Sequence, residues 1–168
     1  NAAAVLRTVP SVSTVCESTE NLIPSNGPPY VNKKDLANCS GLIMGSPTYF
    51  GNMAAPLKYF LDSTSSEWLS GVLADKPAGF FTSSSSPHGG QESTLLSMAI
   101  PLLHHGMIIV GIPYTLKAIS TTKSGGGPYG ASHITWNRDT EELTNEEKEV
   151  AQAIGKRVTQ IAKKLILK

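Results

Sequence analysis

Short apolar runs punctuated by glycine and proline alternate along this chain with stretches whose apolar residues recur every three or four positions. Ala2–Val9 predicts a strand ended by Pro10, and Ser11–Lys34 predicts a long irregular stretch broken by Pro24, Gly27, Pro28 and Pro29. A strand over Gly41–Gly45 then runs into Ser46-Pro47-Thr48-Tyr49-Phe50, with a second turn signal at Gly51-Asn52. Met53, Leu57, Phe60 and Leu61 share one face of a predicted helix over Ala54–Leu61, where Pro56 is tolerated in the first turn. Trp68 and Leu69 fall in a short turn or helix ending near Gly71.

The same alternation continues. Ala78–Phe81 predicts a strand that opens into Thr82-Ser83-Ser84-Ser85-Ser86-Pro87-His88-Gly89-Gly90. Leu95, Leu96, Ala99, Leu102 and Leu103 mark a helix kinked at Pro101 and closed by Gly106. Met107–Ile112 is a continuous apolar run of the kind buried in parallel sheets, and Ser120–Tyr129 is a glycine-rich loop. Thr144 and Glu147 form a capping box for a last helix. Its apolar stripe is Val150, Ala151, Ile154, Val158, Ile161, Ala162 and Leu165, with glutamates at its positive end and lysines at its negative end.

Strand and helix in alternation predict a parallel α/β sheet with right-handed crossovers, in a single domain over residues 1–168. Ligands of such sheets bind beyond the carboxyl ends of the strands. Here those ends are Ser46–Tyr49, Ser83–His88 and Pro113-Tyr114, all polar, aromatic or rich in turn residues. The convergence predicts a site for something flat with polar edges.

Composition narrows the field. A net charge of +1 is too small for long-range attraction to nucleic acid or an anionic membrane. No apolar run approaches the ~20 residues that span a bilayer, and Asn1–Arg7 lacks the pattern of a signal peptide. Cys16 and Cys39 form no C-x-x-C and read as reduced thiols, so the expected compartment is the cytoplasm. Gly125-x-Gly127-x-x-Gly130 has the letters of a dinucleotide fingerprint but no predicted strand before it or helix after it. The serine loop ending in His88-Gly89-Gly90 has no nucleophile elbow to make it a hydrolase site; it reads better as a backbone-rich loop feeding a helix N-terminus. His104 and His105 point about 100° apart on a helix and cannot share a metal, and no metal site is expected.

With these residues laid out, the chain resembles the WrbA-type, flavodoxin-like NAD(P)H:quinone oxidoreductases. The matching pieces are Gly45–Met53, Phe60-Leu61-Asp62, Trp68, Gly89-Gly90-Gln91-Glu92, His104–Met107 and Gly126–Ala131, spread in order over nearly the whole chain. The resemblance implies a doubly wound, three-layer α/β/α fold, bound FMN, hydride transfer from NADH or NADPH through FMN to a quinone, and a homo-oligomer, a dimer or tetramer. It places Thr48, Tyr49, Phe50, Gly51 and Asn52 along the isoalloxazine, and Ser83, Ser84, Ser85, Ser86, Pro87, His88 and Gly89 around its other edge. It makes His104 a flavin contact, and Trp68 a wall of the quinone pocket lent across a subunit boundary. No catalytic side chain is implied, since FMN carries the chemistry.

Departures accompany the match. Tyr49 stands where many relatives carry Arg, Ser83–His88 is richer in serine, and Trp136–Leu143 lacks the family's glycine-rich connector. The family's first strand, phosphate-binding loop and helix, on the order of 30 residues, have no counterpart here, so no residue is assigned to the FMN phosphate and the first strand's slot in the sheet is expected to stand empty. Two alternatives stay open: a flavin-free binding or assembly module of the same fold, and a flavodoxin-type electron carrier. The second usually needs a strongly acidic surface, which a net charge of +1 does not supply.

Overall fold

A computed structural model of the chain describes residues 2–12, 24–135 and 142–166. The predicted alternation is present. The order is α1 (Lys33–Asn38), β1 (Leu42–Tyr49), β2 (Asn52–Met53), α2 (Ala55–Asp62), α3 (Ser65–Leu69) and β3 (Pro77–Ser84), followed by α4 (Gln91–His104), β4 (Ile108–Ile109), α5 (Lys117–Thr121), β5 (Ala131–Ile134) and α6 (Asn145–Ile166).

β3 is the centre of the sheet. β1 pairs with it in parallel from Leu42↔Ala78 to Pro47↔Ser83, which fills one edge of β3. β4 and β5 lie end to end along the other edge, Ile108–Ile109 against Pro77–Ala78 and Ala131–Ile134 against Phe81–Ser84. Together they act as one strand interrupted by a long excursion. The predicted strand Met107–Ile112 is therefore cut short. Val110 N–H still donates to Ala78 O, but Ile112 N–H turns away to Pro128 O. Over residues 42–47 the second edge of β1 carries no strand among the described residues.

Alternate residues of β3 face alternate helical layers. Phe80 joins Met44, Leu57, Leu61, Leu95, Met98 and Leu102 beneath α2 and α4. Gly79, one residue earlier, faces α6, where an added Cβ would sit 2.7 Å from Ile154 Cγ1. The absence of a side chain there lets α6 lie close on the sheet, with Val150, Ile154 and Val158 meeting Val110, Ile112 and Ala131. This is the flavodoxin-like arrangement of helices on both faces of a mostly parallel sheet.

Other expectations change in detail. Among the described residues Ala2–Val9 forms no strand; it keeps one parallel bridge, Thr8↔Tyr30, and leaves Val5 and Leu6 exposed, because a ladder needs a neighbour along its length. β1 runs on to Tyr49, beyond the predicted turn at Gly45, because β3 continues alongside it. α5 and β5 were not predicted, and they surround the Gly125–Gly130 letters in the order helix, loop, strand, the reverse of a dinucleotide fingerprint. α4 continues through Pro101 to its last turn, and Gly106 follows at a φ of 75° as expected. The Thr144/Glu147 capping box is made, with Glu147 N–H 3.2 Å from Thr144 Oγ1 and Thr144 N–H 2.9 Å from Glu147 Oε2. Cys16 and residues 136–141 lie outside the described residues.

Candidate functional site

Two loops meet above the sheet. The first is the hairpin tip Tyr49-Phe50-Gly51-Asn52 between β1 and β2. Phe50 and Gly51 both take positive φ, 51° and 73°, as a two-residue hairpin turn requires. Glycine meets that demand readily, whereas Phe50 is held there under strain with its ring fully exposed. Asn52 folds back to accept a hydrogen bond from Met53 N–H at 2.8 Å.

The second loop carries Ser85–Gly90 from β3 into α4. Ser84 Oγ donates to Ser86 O at 2.8 Å, Gly89 N–H donates to the same carbonyl, and the buried Gln91 amide donates to both Ser84 Oγ and Ser86 O. Gly90 caps α4 at a φ of 90° and rests against Gly51, so the two loops touch backbone to backbone.

Beside this junction lies an open cavity of about 390 Å³ lined by Pro47, Thr48, Ser83, Ser84, Ser85, His133 and Thr135. A second hollow of about 440 Å³ borders Pro87, His88 and the first turn of α4, with Tyr129 and Ser132 opposite. Thr48 and Ser83–Ser85 thus line the first space and Pro87 and His88 the second, while Tyr49, Phe50, Gly51 and Asn52 line neither, and of these Gly51 meets Gly90. The third wall differs from expectation. It comes from the end of β5, His133–Thr135, and not from Pro113-Tyr114, because β5 has taken the upper edge of β3.

His133 and its support went unnoticed in the sequence. Its Nδ1 lies 3.0 Å from Oε2 of Glu147, a buried carboxylate that also receives Ser124 Oγ at 2.8 Å and the N–H groups of Gly125, Ile134 and Thr144 at 3.0, 3.1 and 2.9 Å. Burial pushes this carboxyl up, but the hydrogen bonds from His133, Thr144, Ser124 and Gly125 outweigh it and hold it at about 2. One carboxylate thus fastens β5, the Ser124–Gly125 turn and the start of α6 under the crevice wall. Glu147 was legible as a cap; its long-range partners were not.

Trp68 and His104 sit elsewhere. Trp68 Nε1 donates to His104 O at 2.7 Å, at the far end of α4, about 20 Å from the serine loop for a 14-residue helix. Beside them His105 is buried. Its Nε2–H must donate to Thr64 Oγ1 at 3.0 Å, because the Thr64 hydroxyl is already given to Leu61 O. Its Nδ1 is buried with no partner among the described residues. Burial keeps the His105 pKa below 6.5, with Glu67 raising it and His104 lowering it further. The unfolded chain therefore takes up a proton that the fold refuses. Stability is expected to be complete above pH 6.5 and to decline as pH falls below it, with the His105 imidazole signals in NMR titrating later than those of a free histidine. A midpoint at or above 6.5 would contradict this.

The sequence profile of the NADPH-dependent FMN reductases matches residues 10–120, which include both loops. The chain belongs to that family. Among relatives of this FMN reductase-family chain, an NAD(P)H dehydrogenase (quinone) of Syntrophobacter fumaroxidans is 45% identical over 139 residues, 82% of this chain and 68% of its own. One from Geobacter sulfurreducens is 40% identical over 171 aligned positions, 98% of this chain and 84% of its own. The crystal structure of a flavodoxin, WrbA-like protein from Agrobacterium tumefaciens superposes with a TM-score of 0.57 at 25% identity, over 78% of this chain and 71% of that one. Among the described residues no helix is long and apolar enough to cross a membrane.

Proposed function

We propose that this chain is an FMN-dependent NAD(P)H:quinone oxidoreductase. The observation that carries the reading is the junction itself: two loops from the ends of adjacent parallel strands meet at Gly51 and Gly90 beside an open cavity, with an exposed aromatic tip on one side and the start of a 14-residue helix on the other. The residues present suit a flavin. Phe50 and Tyr49 offer flat apolar surface, Thr48 and Ser83–Ser85 offer polar edges, and the first turn of α4 brings free N–H groups and a positive dipole end. Bound FMN would supply the hydride chemistry between nicotinamide and quinone. The chain's own part is to orient the ring between the two loops, to keep their shape through Gln91, and to favour negative charge near the helix start.

Trp68 and His104 join such a site only from another copy, since α4 separates them from the crevice of their own chain. Leu96, Ile100 and Leu103 are exposed along α4 at helical spacing, which supports a homo-oligomer packed on that helix. A cytoplasmic location accords with Cys39, which forms no disulfide among the described residues.

The test is NADH- and NADPH-driven reduction of benzoquinone, with and without added FMN. Turnover that requires FMN is the expected result. A folded protein that neither binds FMN nor turns over with it saturating would overturn the proposal in favour of the flavin-free module.

A further inference from the structure

The hairpin that carries the aromatic tip is held from outside its own strands. β1 and β2 share two residue pairs, Thr48↔Met53 and Tyr49↔Asn52, too short a ladder to keep its shape alone. The turn between them is also strained, since Phe50 takes a φ of 51° that a side-chain-bearing residue rarely adopts. Such a residue persists where its surroundings fix it. Here the fixing surface is one face of α4, on which Ser93, Thr94 and Ser97 are neighbours by helical spacing. Ser97 makes the central contact. Its Oγ gives its one hydrogen to Thr94 O at 2.8 Å, so toward the hairpin it can only accept. It accepts from Met53 N–H at 3.1 Å, a donor that Asn52 Oδ1 shares at 2.8 Å. Thr94 Oγ1 adds a longer hydrogen bond, 3.4 Å to Asn52 O.

We infer that Ser97 is a positioning residue for the crevice. It fixes Met53 to α4, and through the Thr48↔Met53 pair it sets both the end of β1, which lines the first cavity, and the strained turn that follows. Ser97 itself lines neither cavity, so its effect on a ligand has to pass through the hairpin. Asn52 cannot replace it, because Asn52 belongs to the hairpin and moves with Met53. Among the described residues, loss of the Ser97 hydroxyl leaves the hairpin only the longer Thr94 hydrogen bond to α4. The tip is then free to relax away from positive φ and from its contact at Gly90. The ligand side of this inference rests on the FMN reading above; the tether rests on the hairpin alone.

The experiment compares the wild-type chain with Ser97→Ala and Ser97→Thr, at a temperature where all three are fully folded. Native-state hydrogen exchange at Met53 N–H, read by NMR without flavin, reports the tether. Titration with FMN, followed by quenching of flavin fluorescence, reports the crevice. Ser97→Ala is expected to speed exchange at Met53 by about fivefold and to weaken FMN by a similar factor, the scale of one hydrogen bond. Ser97→Thr should restore both, since a helical threonine can give its hydrogen to the same carbonyl and keep its oxygen toward Met53. A loss of packing alone would not be rescued in this way. Exchange at Met53 that is unchanged in Ser97→Ala overturns the inference, and so does faster exchange with unchanged FMN affinity; in both cases the FMN reading stands. Equal losses in Ser97→Ala and Ser97→Thr overturn it as well. If the folded wild type binds no FMN, the FMN reading fails and the positioning role with it.

Discussion

Replacing Glu147 with alanine is expected to cost about 4 kcal/mol of folding stability, since several buried donors lose their acceptor at about 1–3 kcal/mol each. The carboxylate receives His133, Ser124 and the N–H groups of Gly125, Ile134 and Thr144, so its loss orphans donors on three separate segments. Few of them can reach water, since the side chain is buried at 1% exposure. For a chain of this length the loss corresponds to a fall in Tm of about 10 °C. Glu147→Gln keeps the volume and one acceptor oxygen but turns an amide N–H₂ toward N–H groups, and about half the penalty is expected. Urea unfolding of the three proteins measures both values. Losses below about 1 kcal/mol would show that the cluster relaxes or hydrates freely.

The same carboxylate sets an acid limit. It ionises at about 2 in the fold against 4.5 for an unperturbed glutamate. Its contribution is therefore fully present above pH 4.5 and is lost as pH falls toward 2, a total of about 3 kcal/mol. The wild type should show this acid slope and Glu147→Ala should not. At higher pH the slope from His105 remains in both, since it begins at 6.5 and involves a different cluster.

The contrast between these residues shows what local pattern reveals. α6 was legible because its cap and its apolar stripe are both encoded within a few turns of helix. The core of β3 was legible as a short apolar run between turn signals. β5 was not, because Ala131-Ser132-His133-Ile134 is half polar and owes its extended form to pairing with Phe81–Ser84, some fifty positions earlier. The same distance hid the role of Glu147, whose partner Ser124 is 23 positions away. Thr48 and the serine loop were legible as residues at the strand ends because turn chemistry marks where parallel strands end. The hydrogen bond from Met53 to Ser97 was not, since its partners are 44 positions apart.

Gly90→Ala is expected to open the crevice and weaken FMN binding by tenfold or more. An alanine at a φ of 90° carries a conformational penalty of about 1–2 kcal/mol. Its Cβ would also stand 2.7 Å from Gly51 Cα and 3.2 Å from Ser93 Oγ. The serine can rotate, but the Gly51 contact is backbone against backbone, so the hairpin tip and the start of α4 must move apart. Those are the two elements that hold the ring on the proposed reading, and a misplacement of about 1 Å at such a site can cost a hundredfold in rate. Gly71→Ala separates strain from contact. Gly71 also has a positive φ, 66°, but nothing lies within 4 Å of its added Cβ. It should lose stability by about the conformational term alone and bind FMN as the wild type does. Thermal unfolding alongside fluorescence titration of both variants distinguishes the two effects. If Gly90→Ala bound FMN normally while losing only as much stability as Gly71→Ala, the contact between the loops would have no part in shaping the site.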